Sequence, residues 1–508
     1  MKRLLAVGGL LAVLAAAVAT STPGGRTSGA AATAPVPRPA VSEFQQLGTS
    51  ETPPTEAQCF AANPPAGRRC FTPQSIRAAY NVGPLYARGF DGRGQTIAIV
   101  DSYGSDTMAA DLKVFDDAFG LPHLCGEPGV ACTPGMAKFS ELSLQGSPET
   151  KPQGGSGTGL EDKTGWAIEV ALDVEWAHAI APGANILLVH TPTAETLGVQ
   201  GFPQMMMAED YVVKHGLAQV ISQSLASAED AFGSPQSLLN LRYAFEDAKD
   251  AGVTVLGSSG DSGTANVTKQ ALVGNGTGGP TGGLIPTPSV VWPASDPLVT
   301  GVGGTNLCSD PLNTSSRVLD AADPPTTCRG QGEIEIGWIG SGGGFSHVFG
   351  RPSFQDALPA GSTAIPADAR GVPDVAYDAS ARTGVLVYVT LPPAGLGGLP
   401  CPGGPCSTGW YVVGGTSAGS PQWAGLIAIA DQLNGGGLGW INPALYEIGA
   451  DPARYAADFF DVTTGNNTQP GTGIPGYPAT TGWDPVTGLG TPNAAVFLPD
   501  LVAAVNGH

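Results

Sequence analysis

The sequence predicts an α/β fold in which a doubly wound parallel β-sheet is covered by helices on both faces. Four short apolar segments have the β-branched composition of buried strands: residues 95–101, 184–190, 219–225 and 252–258. Three longer segments between them have helical apolar spacing: residues 164–180, 204–215 and 237–251. Buried strands that alternate with helices form parallel sheets, and functional sites gather beyond the carboxyl ends of such strands.

The composition excludes some classes of partner. The chain has 508 residues, with 23 Lys and Arg against 43 Asp and Glu, and a formal net charge of −20 at pH 7. Phosphate backbones are bound by clusters of basic residues, so we expect no nucleic-acid partner. A chain rich in carboxylates loses most of its charge repulsion in acid, because the carboxylates then become protonated. Acid tolerance is therefore expected.

The N-terminus predicts export. Residues 1–19 have the features of a signal peptide: Lys2 and Arg3, an apolar run over 4–18, and small residues at 17 and 19. No later run is long enough to span a membrane, so the mature chain is expected to be secreted, extracellular, soluble and monomeric. Residues 20–70 have the composition of a flexible leader. The main domain is expected over 71–508.

The eight cysteines support export because they fall into four close couples along the chain. The couples are Cys59 with Cys70, Cys125 with Cys132, Cys308 with Cys328, and Cys401 with Cys406. Eight cysteines allow 105 pairings, and the sequence cannot select one of them. Pairing within each couple is the simplest expectation.

One glycine-rich run is the strongest candidate for chemistry. Residues 414–425 read GGTSAGSPQWAG and lead into an apolar helix. They place Ser417 at a helix start, where unpaired N–H groups and the helix dipole favour developing negative charge. A nucleophilic serine fits this position, although many serines before apolar runs only cap the helix.

A nucleophilic serine needs a base, and the six histidines offer no partner motif. His178 is the only one in a helix rich in acidic groups. A surface or helix-C-terminal histidine is a more common role for such a residue than a catalytic base. Ser262, in the run Gly260-Asp261-Ser262-Gly263, imitates the nucleophile loop of chymotrypsin-like proteases. Those proteases are all-β, whereas this chain has α/β patterning. Ser262 is therefore the weaker candidate.

Carboxylates offer a better base. Glu169 and Asp173 are four residues apart and so lie on one face of a predicted helix whose other residues are nearly all apolar. Buried together, they cannot both ionise easily and would share a proton. On a solvated face they would be only an acidic stripe. Asp261 follows the strand over 252–258, where it is either a turn residue or, when protonated, a hydrogen-bond donor to an oxyanion.

Several further motifs occur together with the serine run. They are YNVGPLY (80–86), GQTIAIV (94–100), PAS (293–295), VGGT (302–305), GGGFS (342–346) and VPDV (372–375). In number and order they resemble the sedolisin family of serine-carboxyl peptidases, from about Phe71 to the C-terminus. The resemblance implies a subtilisin-like version of the α/β fold, and a peptidase catalytic domain over 71–508.

The resemblance also implies roles for individual residues. Ser417 would be the nucleophile, Glu169 its base, Asp173 the residue that orients Glu169, and Asp261 the oxyanion-hole residue. Asp101 ends the first strand, where subtilisins keep their triad aspartate, and is treated as secondary.

The resemblance further implies one structural Ca²⁺ near the C-terminus. Asp461 and Asp484 would bind it through their carboxylates, and Val462, Thr480 and Gly482 through their carbonyls. Without an ion, these would be turn residues in a loop.

The expected activity is acid endopeptidase action on proteins or peptides, through a Ser-Glu-Asp triad and an acyl-enzyme. A glutamate base must be ionised while Asp261 is protonated, so reference pKa values place the optimum at about pH 3–5. Two alternatives stay open: a tripeptidyl aminopeptidase of the same family, and a non-catalytic secreted binding protein on this fold. The 52 residues over 20–71 are also too few for the large folded prosegment usual in the family.

Overall fold

The computed structural model describes residues 44–61, 69–144, 160–192, 201–268, 283–309, 335–391, 400–401, 404–405 and 407–507. The predicted signal peptide (1–19) lies outside these residues. In the described part of the chain, no helix combines the length and apolar character that crossing a membrane would require.

The helices and strands are numbered in chain order. The helices are α1 Glu56–Ala61, α2 Pro73–Ala79, α3 Gly83–Ala87, α4 Met108–Phe119, α5 Leu160–Ile180, α6 Phe202–Lys214, α7 Pro235–Leu239, α8 Tyr243–Ala251, α9 Thr416–Asn434, α10 Asn442–Ala450, α11 Pro452–Asp458 and α12 Ala494–Val505. The strands are β1 Phe44–Gly48, β2 Thr96–Ser102, β3 Phe139–Ser143, β4 Asn185–Thr191, β5 Val220–Gln223, β6 Ser227–Ala228, β7 Thr254–Ser258, β8 Val291–Trp292, β9 Thr300–Leu307, β10 Glu335–Gly337, β11 Gly344–Phe345, β12 Gly371–Val372, β13 Val375–Asp378, β14 Val385–Val389, β15 Pro400–Cys401, β16 Gly404–Pro405, β17 Gly409–Val413, β18 Phe459–Phe460 and β19 Thr491–Pro492.

The central sheet is mostly parallel, as the sequence predicts. Its strand order is β10-β9-β7-β5-β2-β4-β3, with β13 also paired to β9. Only the β9–β10 pair is antiparallel. The carboxyl ends of β2, β5 and β7 therefore meet at one edge of the sheet, because neighbouring parallel strands end on the same side.

The four predicted strands correspond to β2, β4, β5 and β7, and the first two predicted helices to α5 and α6. The helix predicted over 237–251 is interrupted: α7 ends at Leu239 and α8 begins at Tyr243. In the turn between them, the guanidinium of Arg242 forms an ion pair with the buried carboxylate of Asp296, with Nε 2.6 Å from Oδ2. Arg242, which pairs with this buried carboxylate, therefore lies in the turn between the two helices.

Helices α5 and α9 lie in the core. From Trp166 to Ile180, and from Thr416 to Asp431, every residue is buried. Helices with apolar residues on all sides are typical of such interior positions. The two helices pack against each other closely at Gly425, where an added Cβ would lie 2.8 Å from the Cβ of Ile180 and 3.2 Å from the carbonyl oxygen of Ala177.

Part of the predicted leader is ordered. Strand β1 pairs antiparallel with β17, which itself pairs with β14. The side chain of Gln46 adds hydrogen bonds to Ser407, 2.8 Å from Nε2 to its carbonyl oxygen. Residues 44–48 thus form the edge strand of a three-stranded sheet, because their backbone groups find partners on β17.

Two of the four expected disulfides are present within the described residues: Cys59–Cys70 and Cys125–Cys132. Cys308 is also disulfide-bonded. Its expected partner, Cys328, and Cys406 of the fourth couple lie outside the described residues. The Cys59–Cys70 bond ties α1 to the segment that enters α2.

Candidate active site

Ser417 lies in the first turn of α9, as the sequence predicts. Strand β17 leads into the helix through Gly415, whose φ of +119° is a backbone conformation that favours glycine. Ser417 is fully buried, and its hydroxyl forms no hydrogen bond with any residue that the structure describes. The N–H groups of this first turn have no partner within the helix. The position places the Ser417 hydroxyl beside backbone N–H groups at a helix start.

Asp261 is held next to Ser417. Its Oδ1 accepts hydrogen bonds from the N–H of Thr416 at 2.7 Å and from the Thr416 hydroxyl at 2.9 Å. The Gly260 N–H donates in turn to the Thr416 hydroxyl at 3.0 Å. The loop after β7 is thereby joined to the start of α9. Thr416 was not predicted as a site residue, although it stands beside Ser417 in the glycine-rich run.

Glu169 and Asp173 are fully buried on α5, so the solvated acidic stripe does not occur. Burial raises the pKa of Asp173 well above its usual value, and the neighbouring Asp101 and Glu169 carboxylates raise it further. The nearby Ser224 hydroxyl acts in the opposite direction. The protonation of one of these two carboxyl groups therefore affects the protonation of the other.

Asp101, at the carboxyl end of β2, joins this pair. It is fully buried, and burial raises its pKa to about 8. From the sequence it was only a secondary candidate, because the resemblance moves the acidic role to the helix. The structure brings it beside Asp173, so three carboxyl groups form one cluster: Asp101, Glu169 and Asp173.

The end of β5 connects the serine with this carboxyl cluster. The Ser222 hydroxyl lies 2.9 Å from that of Ser420 on α9, and Ser224 contacts Asp173 on α5. Farther along both helices, Gly425 of α9 approaches Ala177 of α5. Asp173 and Ser420, which lie near β5, precede Ala177 and Gly425, which lie near each other. The helices α5 and α9 therefore run in the same direction.

This common direction relates Ser417 to Glu169. Ser417 precedes Gly425 by eight residues (425 − 417), and Glu169 precedes Ala177 by eight (177 − 169). Because both helices rise about 1.5 Å per residue, the two side chains lie at similar levels before the crossing. The serine and the carboxyl cluster thus lie towards the same end of the helix pair.

The competing candidates have other surroundings. His178 is buried, with Nε2 3.0 Å from the Pro122 carbonyl oxygen and 3.3 Å from Oδ1 of Asp116. Ser262 is exposed, next to Asp261. Neither residue combines burial at a helix start with a carboxyl neighbour, as Ser417 does.

The residues expected to bind Ca²⁺ come together near the C-terminus. Both carboxylate oxygens of Asp461 accept the Gly482 N–H, at 3.1 and 3.0 Å. Asp484 is fully buried and accepts the N–H groups of Thr480 at 2.9 Å and Val486 at 2.7 Å. Burial raises the pKa of Asp484 to about 7.

The donor set fits Ca²⁺. Tyr455 lies near both aspartates: burial raises the pKa of its hydroxyl, and the Asp461 and Asp484 carboxylates raise it further. Among the described residues, no donor bonds to the carbonyl oxygens of Val462, Thr480 or Gly482. Two neighbouring carboxylates with unbonded carbonyls are the hard oxygen ligands that Ca²⁺ prefers.

Comparison with known proteins identifies the family. No family model matches the chain. Kumamolisin from Bacillus sp. (strain MN-32) is 30% identical over 455 residues, which span 89% of this chain and 67% of kumamolisin. Kumamolisin is a member of the family that the motifs resemble. This chain belongs to the sedolisin family of serine-carboxyl peptidases.

Other similarities agree with membership in the sedolisin family. Tripeptidyl-peptidase 1 of Homo sapiens is 30% identical over 359 residues, and that of Bos taurus is 30% identical over 357. The chain spans about half the length of these two relatives, 52% in each case. The solved structure of Pseudomonas sedolisin, a serine-carboxyl proteinase complexed with two molecules of pseudo-iodotyrostatin, matches with a TM-score of 0.59 at 24% identity. That match covers 85% of this chain and 98% of sedolisin, and it shows the shared fold.

Proposed function

We propose that this sedolisin-family peptidase is a secreted, acid-active endopeptidase that cleaves proteins or peptides through Ser417, Glu169, Asp173 and Asp261. One observation supports the proposal: a buried serine at the start of α9 and a buried carboxyl pair on α5 precede the close approach of the two helices at Gly425 by similar numbers of residues. A buried hydroxyl beside buried carboxyl groups suits proton transfer, because the absence of water strengthens their interactions.

In the proposed reaction, Glu169 removes the proton from the Ser417 hydroxyl as its oxygen bonds to the substrate carbonyl carbon. The carbonyl oxygen becomes negative and accepts hydrogen bonds from protonated Asp261 and from the backbone N–H of Ser417. Glu169 then gives its proton to the departing amine as the C–N bond breaks. Water hydrolyses the acyl-enzyme by the same steps in reverse.

The neighbouring carboxyl groups favour action in acid. Burial and the carboxylates of Asp101 and Glu169 raise the pKa of Asp173, so Asp173 keeps its proton and can donate a hydrogen bond to ionised Glu169. The Thr416 N–H and hydroxyl hold one oxygen of Asp261, so its orientation is fixed beside the serine. Ca²⁺ bound by Asp461, Asp484 and the carbonyls of Val462, Thr480 and Gly482 would stabilise the C-terminal loop.

The experiment compares Ser417→Ala with Ser262→Ala, a matched change one residue after Asp261. Because the nucleophile and its base act as a unit, Ser417→Ala is expected to lower kcat by about 10⁴-fold or more. Ser262→Ala is expected to keep its activity. Cleavage of a long peptide at pH 4, followed by mass spectrometry, measures both. Wild-type turnover by Ser417→Ala would refute the assignment, and an inactive wild type would favour the non-catalytic binding protein.

The second candidate is tripeptidyl aminopeptidase action, which the similarity to tripeptidyl-peptidase 1 favours. Acetylation of the peptide's N-terminus separates the two activities. An endopeptidase still releases internal fragments from the acetylated peptide. A tripeptidyl peptidase cleaves only the free-amine form, and it releases successive tripeptides.

A further inference from the structure

A cluster of two carboxylates and one histidine lies between the end of α4 and the Cys125–Cys132 loop. Its members are Asp116 on α4, and His123 and Glu127 in the segment that follows the helix. Each offers one oxygen or ring nitrogen, and these three atoms all lie within 4.8 Å of one another. None of the three residues belongs to the proposed catalytic or calcium sites.

Glu127 is fixed in its orientation. Its side chain is fully buried, and its Oε1 accepts the backbone N–H of Leu124. Its second oxygen, Oε2, lies 2.6 Å from Nδ1 of His123. The disulfide between Cys125 and Cys132 closes a short loop around this residue. One carboxylate oxygen is therefore held by the backbone while the other faces the imidazole.

Asp116 is fully buried, yet neither of its carboxylate oxygens accepts a hydrogen bond from any described residue. The imidazole of His178 lies beside it, with Nε2 3.3 Å from Oδ1 of Asp116. That nitrogen is also 3.0 Å from the Pro122 carbonyl oxygen, which accepts its hydrogen. A buried carboxylate without hydrogen bonds is unfavourable unless a cation or a proton offsets its charge. Asp116 presents such a group to the cluster.

His123 has the surroundings that metal-binding histidines usually have. Its Nδ1 faces Glu127 inside the cluster, whereas its Nε2 lies 3.3 Å from Oδ1 of Asp117. In metal sites, the second ring nitrogen commonly donates to a carboxylate, which fixes the tautomer and the ring orientation. Asp117 is itself bonded to Lys113, 2.5 Å from Nζ to Oδ2. The carboxylate behind the imidazole is therefore held in place.

We propose that Asp116, His123 and Glu127 bind a divalent transition-metal ion, and that Zn²⁺ matches this site best. One imidazole nitrogen with two carboxylate oxygens is a donor set that Zn²⁺ accepts, whereas Ca²⁺ takes oxygen ligands. The His123 side chain is 33% exposed, so solvent reaches this edge of the cluster, and water would supply the fourth ligand. The bound ion would tie α4 to the disulfide loop.

The opposing interpretation is an ion-pair network. In that case a protonated His123 donates to both Asp117 and Glu127, and no metal binds. Isothermal titration of Zn²⁺ into the disulfide-intact chain, in excess Ca²⁺, separates the two. The parent and every variant carry Ser417→Ala, which prevents self-digestion. We expect one Zn²⁺ per chain, with at least tenfold weaker binding in His123→Gln and in Glu127→Gln.

His215→Gln is the matched control, because His215 is an exposed histidine at the end of α6. It should bind Zn²⁺ as tightly as the parent. Circular dichroism establishes that each variant is folded, and visible absorption of the Co²⁺-loaded parent should have the strong bands of a four-coordinate site. No Zn²⁺ binding by the parent, or undiminished binding by both folded cluster variants, would overturn the proposal.

Discussion

Replacing Asp101 by Asn should remove a large part of the pH dependence of stability. Burial raises the pKa of Asp101 from 3.8 to about 8, so this carboxyl keeps its proton in the folded protein over a range in which the unfolded chain releases it. A carboxyl group whose pKa is raised in the folded state stabilises the folded protein at pH values below its unfolded-state pKa. That contribution is lost as the pH rises towards the folded-state value. Wild type is therefore expected to lose stability between pH 4 and 8.

The size of the effect follows from the shift. From pH 4 to 7 the unfolded Asp101 is ionised while the folded one is protonated, and each pH unit corresponds to about 1.36 kcal/mol. Three units give a loss of about 4 kcal/mol from this residue. Asparagine has nearly the same shape and does not titrate. The unfolding free energy of Asp101→Asn, relative to the parent, should therefore rise by about 4 kcal/mol over this range.

Urea unfolding at several pH values, followed by tryptophan fluorescence, measures this difference. Both chains carry Ser417→Ala to prevent self-digestion, and Ca²⁺ is kept constant and in excess. Asp250→Asn is the matched control, because Asp250 is exposed on α8. Its curve should run parallel to that of the parent. If the Asp101→Asn curve is also parallel, Asp101 is ionised in the folded protein and the burial argument is refuted.

Three other outcomes are expected. Gly425→Val should destabilise the fold by about 1–3 kcal/mol in urea unfolding, because its Cβ would lie 2.8 Å from that of Ile180; Gly436→Val, with nothing within 4 Å of its Cβ, should cost less. Chelation of Ca²⁺ should lower Tm by a few degrees, since ligand at 100 times its Kd contributes about 2.7 kcal/mol; an unchanged Tm would contradict a bound ion. Asp261→Asn should flatten the alkaline limb of the pH–rate profile, because asparagine donates without titrating; an unaltered limb would assign that pKa to another group.

Much of the sheet could be predicted because its strands are short apolar runs between turn residues. The strand ends could not be placed as well. The sequence predicts a strand over 219–225, whereas β5 ends at Gln223. Ser224 instead lies beside the carboxyl group of Asp173. The apolar pattern alone does not distinguish a residue that continues the strand from one that turns towards the site.

The site was predictable where it depends on local spacing. Glu169 and Asp173 share a helix face because they are four residues apart, and the apolar residues around them indicated burial. Asp101 is different: it contacts the pair only because β2 and α5 pack together, which no local pattern contains. Strand β1 is similar, since it pairs with a strand about 360 residues later.

The cluster of Asp116, His123 and Glu127 could not be predicted from local spacing either. His123 and Glu127 are four residues apart, but they lie outside any helix, so the spacing carried no expectation of contact. Asp116 joins them because the chain turns back after α4, where Gly120 has a positive φ of 64°. The disulfide between Cys125 and Cys132 then closes the loop. The cluster therefore depends on a turn and a crosslink that the apolar pattern does not describe.

The buried carboxyl groups connect stability with the proposed activity. Asp101 and Asp173 both have raised pKa values because the α5 helix and the sheet remove them from water. These two groups therefore contribute most to the stability of the folded protein where they are protonated, and the net charge of −20 at pH 7 adds repulsion as the pH rises. The proposed reaction also requires a protonated Asp261 beside an ionised Glu169. Burial of a carboxyl-based site in a carboxylate-rich chain therefore favours acid for both folding and catalysis, and the Asp101→Asn and Asp261→Asn variants separate the two effects.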